Sequence, residues 1–61
     1  MDITISRNIL MGFNTELELV RYLDALYNCM SYTCARREEW TERSRMKIKG
    51  ANMDIMLEIV D

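Results

Sequence analysis

The sequence predicts a mainly α chain: one central helix, long or bent into a hairpin, with a short C-terminal helix and an extended N-terminal segment. Three observations carry that expectation. No proline or glycine occurs between Asn14 and Gly50, so nothing in that stretch forces a break. Thr15 and Glu18 have the S/T-x-x-E spacing of a capping box, which marks a helix start. Glu16 and Glu18 then fall in the first turn, and Arg43, Arg45, Lys47 and Lys49 near the far end before Gly50, the arrangement that the helix dipole favours. The alternative topology is β-α-β, with strands at the two ends of the chain paired around one helix.

Apolar spacing says what such a helix would pack against. Between Leu17 and Cys34 twelve of eighteen residues are apolar, whereas from Ala35 to Lys49 only Ala35, Trp40, Met46 and Ile48 are. An unbroken helix from Thr15 to Lys49 would be ~52 Å long, against a radius of gyration of about 10 Å for a compact chain of this size. It must therefore fold back near Ser31-Tyr32-Thr33 or lie against a second copy. Val20, Leu23, Tyr27, Met30 and Cys34 follow the 3-4-3-4 spacing of a helix pair, and the series lapses at Arg37, Thr41 and Ser44. The expected self-association stripe is Leu17, Val20, Leu23, Leu26, Tyr27 and Met30, and the expected state is a homodimer or a complex with an unknown protein partner.

The end segments carry two periods at once. In residues 1–13, Ile3, Ile5, Ile9, Met11 and Phe13 alternate with polar Asp2, Thr4, Ser6 and Asn8, as in a half-buried strand. Helical spacing instead groups Ile3, Ile9, Leu10 and Phe13, with Asp2 as N-cap and Gly12 as a stop. The β-branched run Ile3-Thr4-Ile5 favours the extended form. In residues 52–61 a strand would align Met53, Ile55, Leu57 and Ile59. A helix would place Asp54, Glu58 and Asp61 at i, i+4, i+7 opposite Met53, Met56, Leu57 and Val60, and that charge spacing makes it the preferred form.

Size and composition narrow the function. Residues 1–61 make a single small domain, and a chain of this length buries only ~60% of its unfolded surface, so small chains usually add a disulfide, a metal or a partner. There is no histidine, and the two cysteines, Cys29 and Cys34, would lie ~140° apart on a helix; their C-x4-C spacing is not the redox C-x-x-C. No metal or cofactor site is expected. Nor is catalysis, since proton transfer would fall on carboxylates, lysines or tyrosines held in a cleft that so short a chain can hardly enclose. No apolar run approaches the ~20 residues of a membrane span. The start Met1-Asp2-Ile3-Thr4-Ile5 has no signal-peptide character, so a cytoplasmic setting with reduced thiols is expected.

The charge is uneven. The net charge is −2, but residues 36–49 hold six basic and three acidic side chains, a balance of +3, and residues 50–61 hold three acids. Trp40 sits inside the basic stretch. With Arg36, Arg37 and Arg43 around it at helical spacing, it is expected to be an exposed anchor of a recognition surface; the competing placement packs it on Leu23, Leu26 or Tyr27 within a hairpin. The function expected is that of a small regulatory or adaptor protein, binding, masking or bridging another macromolecule stoichiometrically, as phage- and mobile-element-encoded proteins do.

The opening Asp2-Ile3-Thr4-Ile5-Ser6-Arg7 resembles the strand of ribbon-helix-helix repressors, which place alternate polar residues in the DNA major groove. The resemblance covers about half of the chain and implies Asp2, Thr4 and Ser6 as base readers in a dimeric DNA-binding regulator. The family's second helix is amphipathic and follows a short turn. Residues 34–48 carry neither feature, and Asp2 would repel phosphate. Nucleic acid is thus the alternative partner and protein the favoured one.

Overall fold

In the computed structural model, which describes residues 1–28 and 31–61, alternation of apolar and polar residues governs most of the chain. The order is β1 (Asp2–Ser6), α1 (Arg7–Met11), α2 (Glu16–Tyr27), β2 (Ser31–Thr33), a 3-10 turn at Arg37–Glu39, β3 (Arg45–Gly50) and β4 (Ile55–Val60). The mainly α expectation is therefore wrong. Among the described residues only α2 is a helix of seven or more residues, and helix and strand each take about a third of the chain.

The sheet is mixed. β4 lies between β1, which it pairs in parallel, and β3, which it pairs antiparallel; β2 extends the β3 side, giving the order β1-β4-β3-β2. The two end strands do pair, as in the β-α-β alternative, but that topology had neither β2 nor β3. Ile5, Met46, Ile48, Ile55, Leu57 and Ile59 point to one face and are buried there. The other face carries Asp2 and Thr4 from β1, Glu58 and Val60 from β4, and Arg45, Lys47 and Lys49 from β3, all exposed. Sheets with antiparallel pairs tolerate this division between a packed and a wet face.

Local chemistry explains the ends of both helices. The Ser6 hydroxyl accepts the Ile9 N–H at 3.2 Å and starts α1. The expected capping box starts α2: Thr15 Oγ1 accepts the Glu18 N–H at 3.2 Å, and Glu18 Oε2 accepts the N–H of Thr15 at 3.3 Å and that of Asn14. The long-helix expectation fails at Asn28, which takes the left-handed conformation (φ 52°, ψ 43°) and donates to the Asp24 carbonyl at 2.8 Å. Asparagine is the residue other than glycine that most readily closes a helix in this way. The stop thus precedes the Ser31-Tyr32-Thr33 soft spot.

Two further corrections have one cause. Residues 36–49 are no charged helix, because Arg45-Met46-Lys47-Ile48-Lys49 alternates with period two and buries Met46 and Ile48. The C-terminal helix is instead β4, with Ile55, Leu57 and Ile59 turned inward. In both places the inward apolar residues outweigh charge spacing, since side-chain burial is worth about 1.5–3 kcal/mol each and a surface i,i+4 pair only about 0.2–0.5 kcal/mol.

Leu19 and Leu23 of α2, Leu10 of α1 and Trp40 complete the core over the inner sheet face. The accessible surface is 4086 Å² and the radius of gyration 10.3 Å, close to the roughly 4,200 Å² and 10 Å of a compact chain of 7.3 kDa. The chain covers its own core, so the argument that an unburied helix stripe demands a second copy lapses. Among the described residues no helix is long and apolar enough to cross a membrane.

Candidate functional surface

The expected recognition surface of Trp40, Arg36, Arg37 and Arg43 does not form. Trp40 has no exposed surface, and its indole Nε1 donates to the Ala35 carbonyl at 2.8 Å. Arg37 lies over the indole ring at 5.8 Å from its centroid, a cation–π contact. Its guanidinium also donates to the carbonyls of Phe13 (3.0 Å) and Met11 (3.1 Å), and its backbone N–H to Glu16 Oε1 (2.9 Å). Arg37 therefore ties the loop before β3 to the α1–α2 junction and satisfies carbonyls that α1 leaves open. Arg43 pairs with Glu39 at 3.2 Å and exposed Arg36 with Glu38 at 3.6 Å, surface contacts of small energetic weight.

Arg7 does the same work from the other side. It donates to the carbonyls of Trp40 (2.6 Å) and Arg43 (2.9 Å) and pairs with Asp61 at 2.5 Å. Two arginines, one from α1 and one from the loop, thus hold residues 35–43 against the helices and seat Trp40 in the core. The sequence signal was Trp40 amid arginines. That spacing reads as an exposed cluster, whereas guanidinium groups also bond backbone carbonyls, which spacing alone does not reveal.

The titratable groups of this junction serve structure. Hydrogen bonding by the Arg37 backbone N–H holds the Glu16 carboxyl below its ordinary value, and the Arg43 side chain does so for Glu39. Cys34 is half-buried, and burial, aided by the Glu16 charge, pushes its thiol up to about 11. A thiol so protonated is a poor nucleophile at neutral pH. Iodoacetamide at pH 7.5, read by peptide mass spectrometry, is expected to label Cys34 at least tenfold more slowly than the same protein unfolded in urea. Equal rates would place that thiol in solvent.

The expected self-association stripe is split by the fold. Leu23 is buried, Val20 and Tyr27 are half-buried, and Leu17 and Leu26 are exposed at 55% and 56%. Met30 and Cys29 lie outside the described residues. The inward face runs instead through Leu19 and Leu23. Leu17 and Leu26, nine positions apart, stand ~180° from each other around the helix. Between them lies the outer arc: Arg21, Ala25, Glu18 and Tyr22, all exposed. Tyr22 packs on Phe13, ring centroids 5.2 Å apart and planes tilted by 49°, a favoured aromatic geometry.

The open sheet face is the other extended surface. Thr4, Glu58 and Arg45 form one row across it, and Asp2, Met56 and Lys47 the next. Lys47 also pairs with Asp54 at 3.6 Å, so the basic stretch of the sequence is balanced in part by its acidic neighbour. None of the described side chains on this face is aromatic, so it lacks the stacking platforms of single-strand nucleic-acid binders. Among the described residues no cluster of three or more His, Cys, Asp or Glu side chains is arranged to hold a metal ion. Comparison with protein-family models, with curated proteins and with solved structures finds no match for this chain.

Proposed function

We propose that this chain is a small non-enzymatic protein that acts by stoichiometric contact with other protein chains, copies of itself included. The outer arc of α2 is the observation that carries this reading. A helix lying on a core normally turns polar residues to water. Here four of the six outward positions, Leu17, Tyr22, Ala25 and Leu26, are apolar, and only Glu18 and Arg21 are charged. Exposed apolar side chains gathered on one arc mark protein contact sites, and here the two leucines bound the arc with Arg21 and Glu18 between them. Tyr22, held by Phe13, is a rigid amphipathic anchor of the kind enriched there. The free thiol of Cys34 suits a reducing, cytoplasmic setting.

The DNA-binding alternative has less support. In a ribbon-helix-helix protein a second helix would occupy residues 34–48, which here form the 3-10 turn and most of β3. On the open face Thr4 lies directly beside Asp2 and Glu58, whose charges oppose phosphate, while the basic Arg45, Lys47 and Lys49 stand farther across it on β3.

The test uses a double variant, Leu17→Glu with Leu26→Glu, beside a control, Lys47→Glu, on the opposite side of the molecule. Both are expected to keep the wild-type circular dichroism. In quantitative affinity capture, the double variant should lose a stoichiometric protein partner that wild type and control retain. Equal capture by all three proteins would overturn the proposal.

A further inference from the structure

We propose that β1 is a self-pairing edge, and that two copies of the chain join through it in antiparallel register centred on Thr4. This deepens the reading above for one kind of partner, a second copy, and assigns it a surface other than α2.

β1 is the outermost strand of its side. The Met1 carbonyl accepts the Met56 N–H at 2.8 Å. In a parallel ladder alternate residues bond to the neighbouring strand, so Ile3 and Ile5 continue toward β4. Asp2 and Thr4 turn their backbone N–H and C=O groups to the open edge, and Ser6 its N–H, since the Ser6 C=O begins the hydrogen bonding of α1 as its N-cap. Natural edges are usually guarded by charged side chains, lysine above all, by proline, by a bulge or by extreme shortness. β1 has one such guard, Asp2 at its first position; the rest of Asp2-Ile3-Thr4-Ile5-Ser6 is uncharged and free of proline, and its register with β4 runs unbroken from Asp2 to Ser6. The opposite edge, β2, is only three residues long and its pairing with β3 shifts register. The fold protects one edge and leaves the other open.

One register pairs all five residues of the strand and keeps it self-complementary. With the two-fold axis at Thr4, the two Thr4 residues exchange backbone bonds, Asp2 lies opposite the second copy's Ser6, and Ile3 opposite its Ile5. Polar residues then stay on the open face and isoleucines on the core side, as pairing requires. Ile3, half-buried at the rim of the core, gains cover. Centring on Asp2 instead would oppose two carboxylates, and centring on Ser6 would run into α1, which starts at Arg7. The chosen register also brings Met1 of one copy beside the start of α1 of the other, where Ile9 is exposed.

A two-fold axis of this kind stands perpendicular to the sheet. Both helical layers therefore lie on the same side of one eight-stranded sheet, and the two α2 arcs face the same way. A ligand with two matching sites would be held bivalently.

The test is light scattering on a size-exclusion column across a dilution series reaching roughly millimolar protein, where weak contacts are still populated. Wild type is expected to reach twice the 7.3 kDa chain mass. Thr4→Pro removes only an N–H that faces the open edge, a position where proline is tolerated. Thr4→Lys sets two ammonium groups opposite each other across the axis. Both variants should stay monomeric with wild-type melting, and Leu17→Glu/Leu26→Glu should still dimerise. Should Thr4→Pro unfold, Thr4→Lys decides. Wild type that remains monomeric throughout, or Thr4→Lys that dimerises like wild type, would overturn the proposal without touching the α2 surface.

Discussion

Trp40→Ala is expected to abolish the cooperative thermal transition and leave a largely unfolded chain. Trp40 is fully buried, and truncating a core tryptophan to alanine costs about 3–5 kcal/mol. A domain of 61 residues has roughly 3–9 kcal/mol of stability in all. The substitution also strips the Arg37 guanidinium of its aromatic face and leaves the Ala35 carbonyl without its indole donor. Far-UV circular dichroism on heating measures the outcome. Trp40→Phe, which keeps most of the volume and loses the indole hydrogen bond, should fall in between. A Trp40→Ala protein melting within a few degrees of wild type would return Trp40 to the surface.

The second large effect separates two leucines three positions apart on one helix. Leu23→Asp should unfold the protein, because Leu23 is only 1% exposed and an unpaired carboxylate in that site costs several kcal/mol. Leu26→Asp, at an exposed position, should change stability by no more than about 0.5 kcal/mol. Chemical denaturation of both variants with urea reads the difference directly. Similar losses at the two positions would mean that α2 is rotated or is covered on both sides.

The same pair of residues marks what could be read from the sequence. Leu23 and Leu26 both fit an apolar helical stripe, and only the sheet beneath decides which of them faces inward. A strong, self-contained local interaction is legible: the Thr15–Glu18 capping box can be read because two side chains and two backbone groups settle it without help. β3 was hidden because its period-two pattern, Met46 and Ile48 among basic residues, is short and sits inside a stretch whose charges also fit a helix. Asn28 is a weaker stop signal than a glycine, because the left-handed conformation it takes here is only an occasional one for asparagine. Trp40 is not legible as a core residue because the core that buries it, with Leu10, Leu19, Leu23 and the inner sheet face, comes from elements distant in the chain. The helical spacing that put Arg36, Arg37 and Arg43 around it does not exist in a turn. The outer arc of α2 was half-visible in Leu17 and Leu26, and the open edge of β1 could not be seen until β4 was known to occupy its other side.

The position of β4 governs how the chain comes to be folded. It follows every other strand in the chain yet lies between β1 and β3 in the sheet. A nascent chain that stops short of Ile55 holds the capping box, both helices and three strands, but β1 has nothing to pair with and the isoleucines of β4 are missing from the core. Assembly therefore waits until β4 has been made and then has to be concerted. Joining Asp2 to Met56 closes a loop of nearly the whole chain, a costly event for the folding rate. Chains that lack β4 would be ready prey for proteases, and chains that include it far less so.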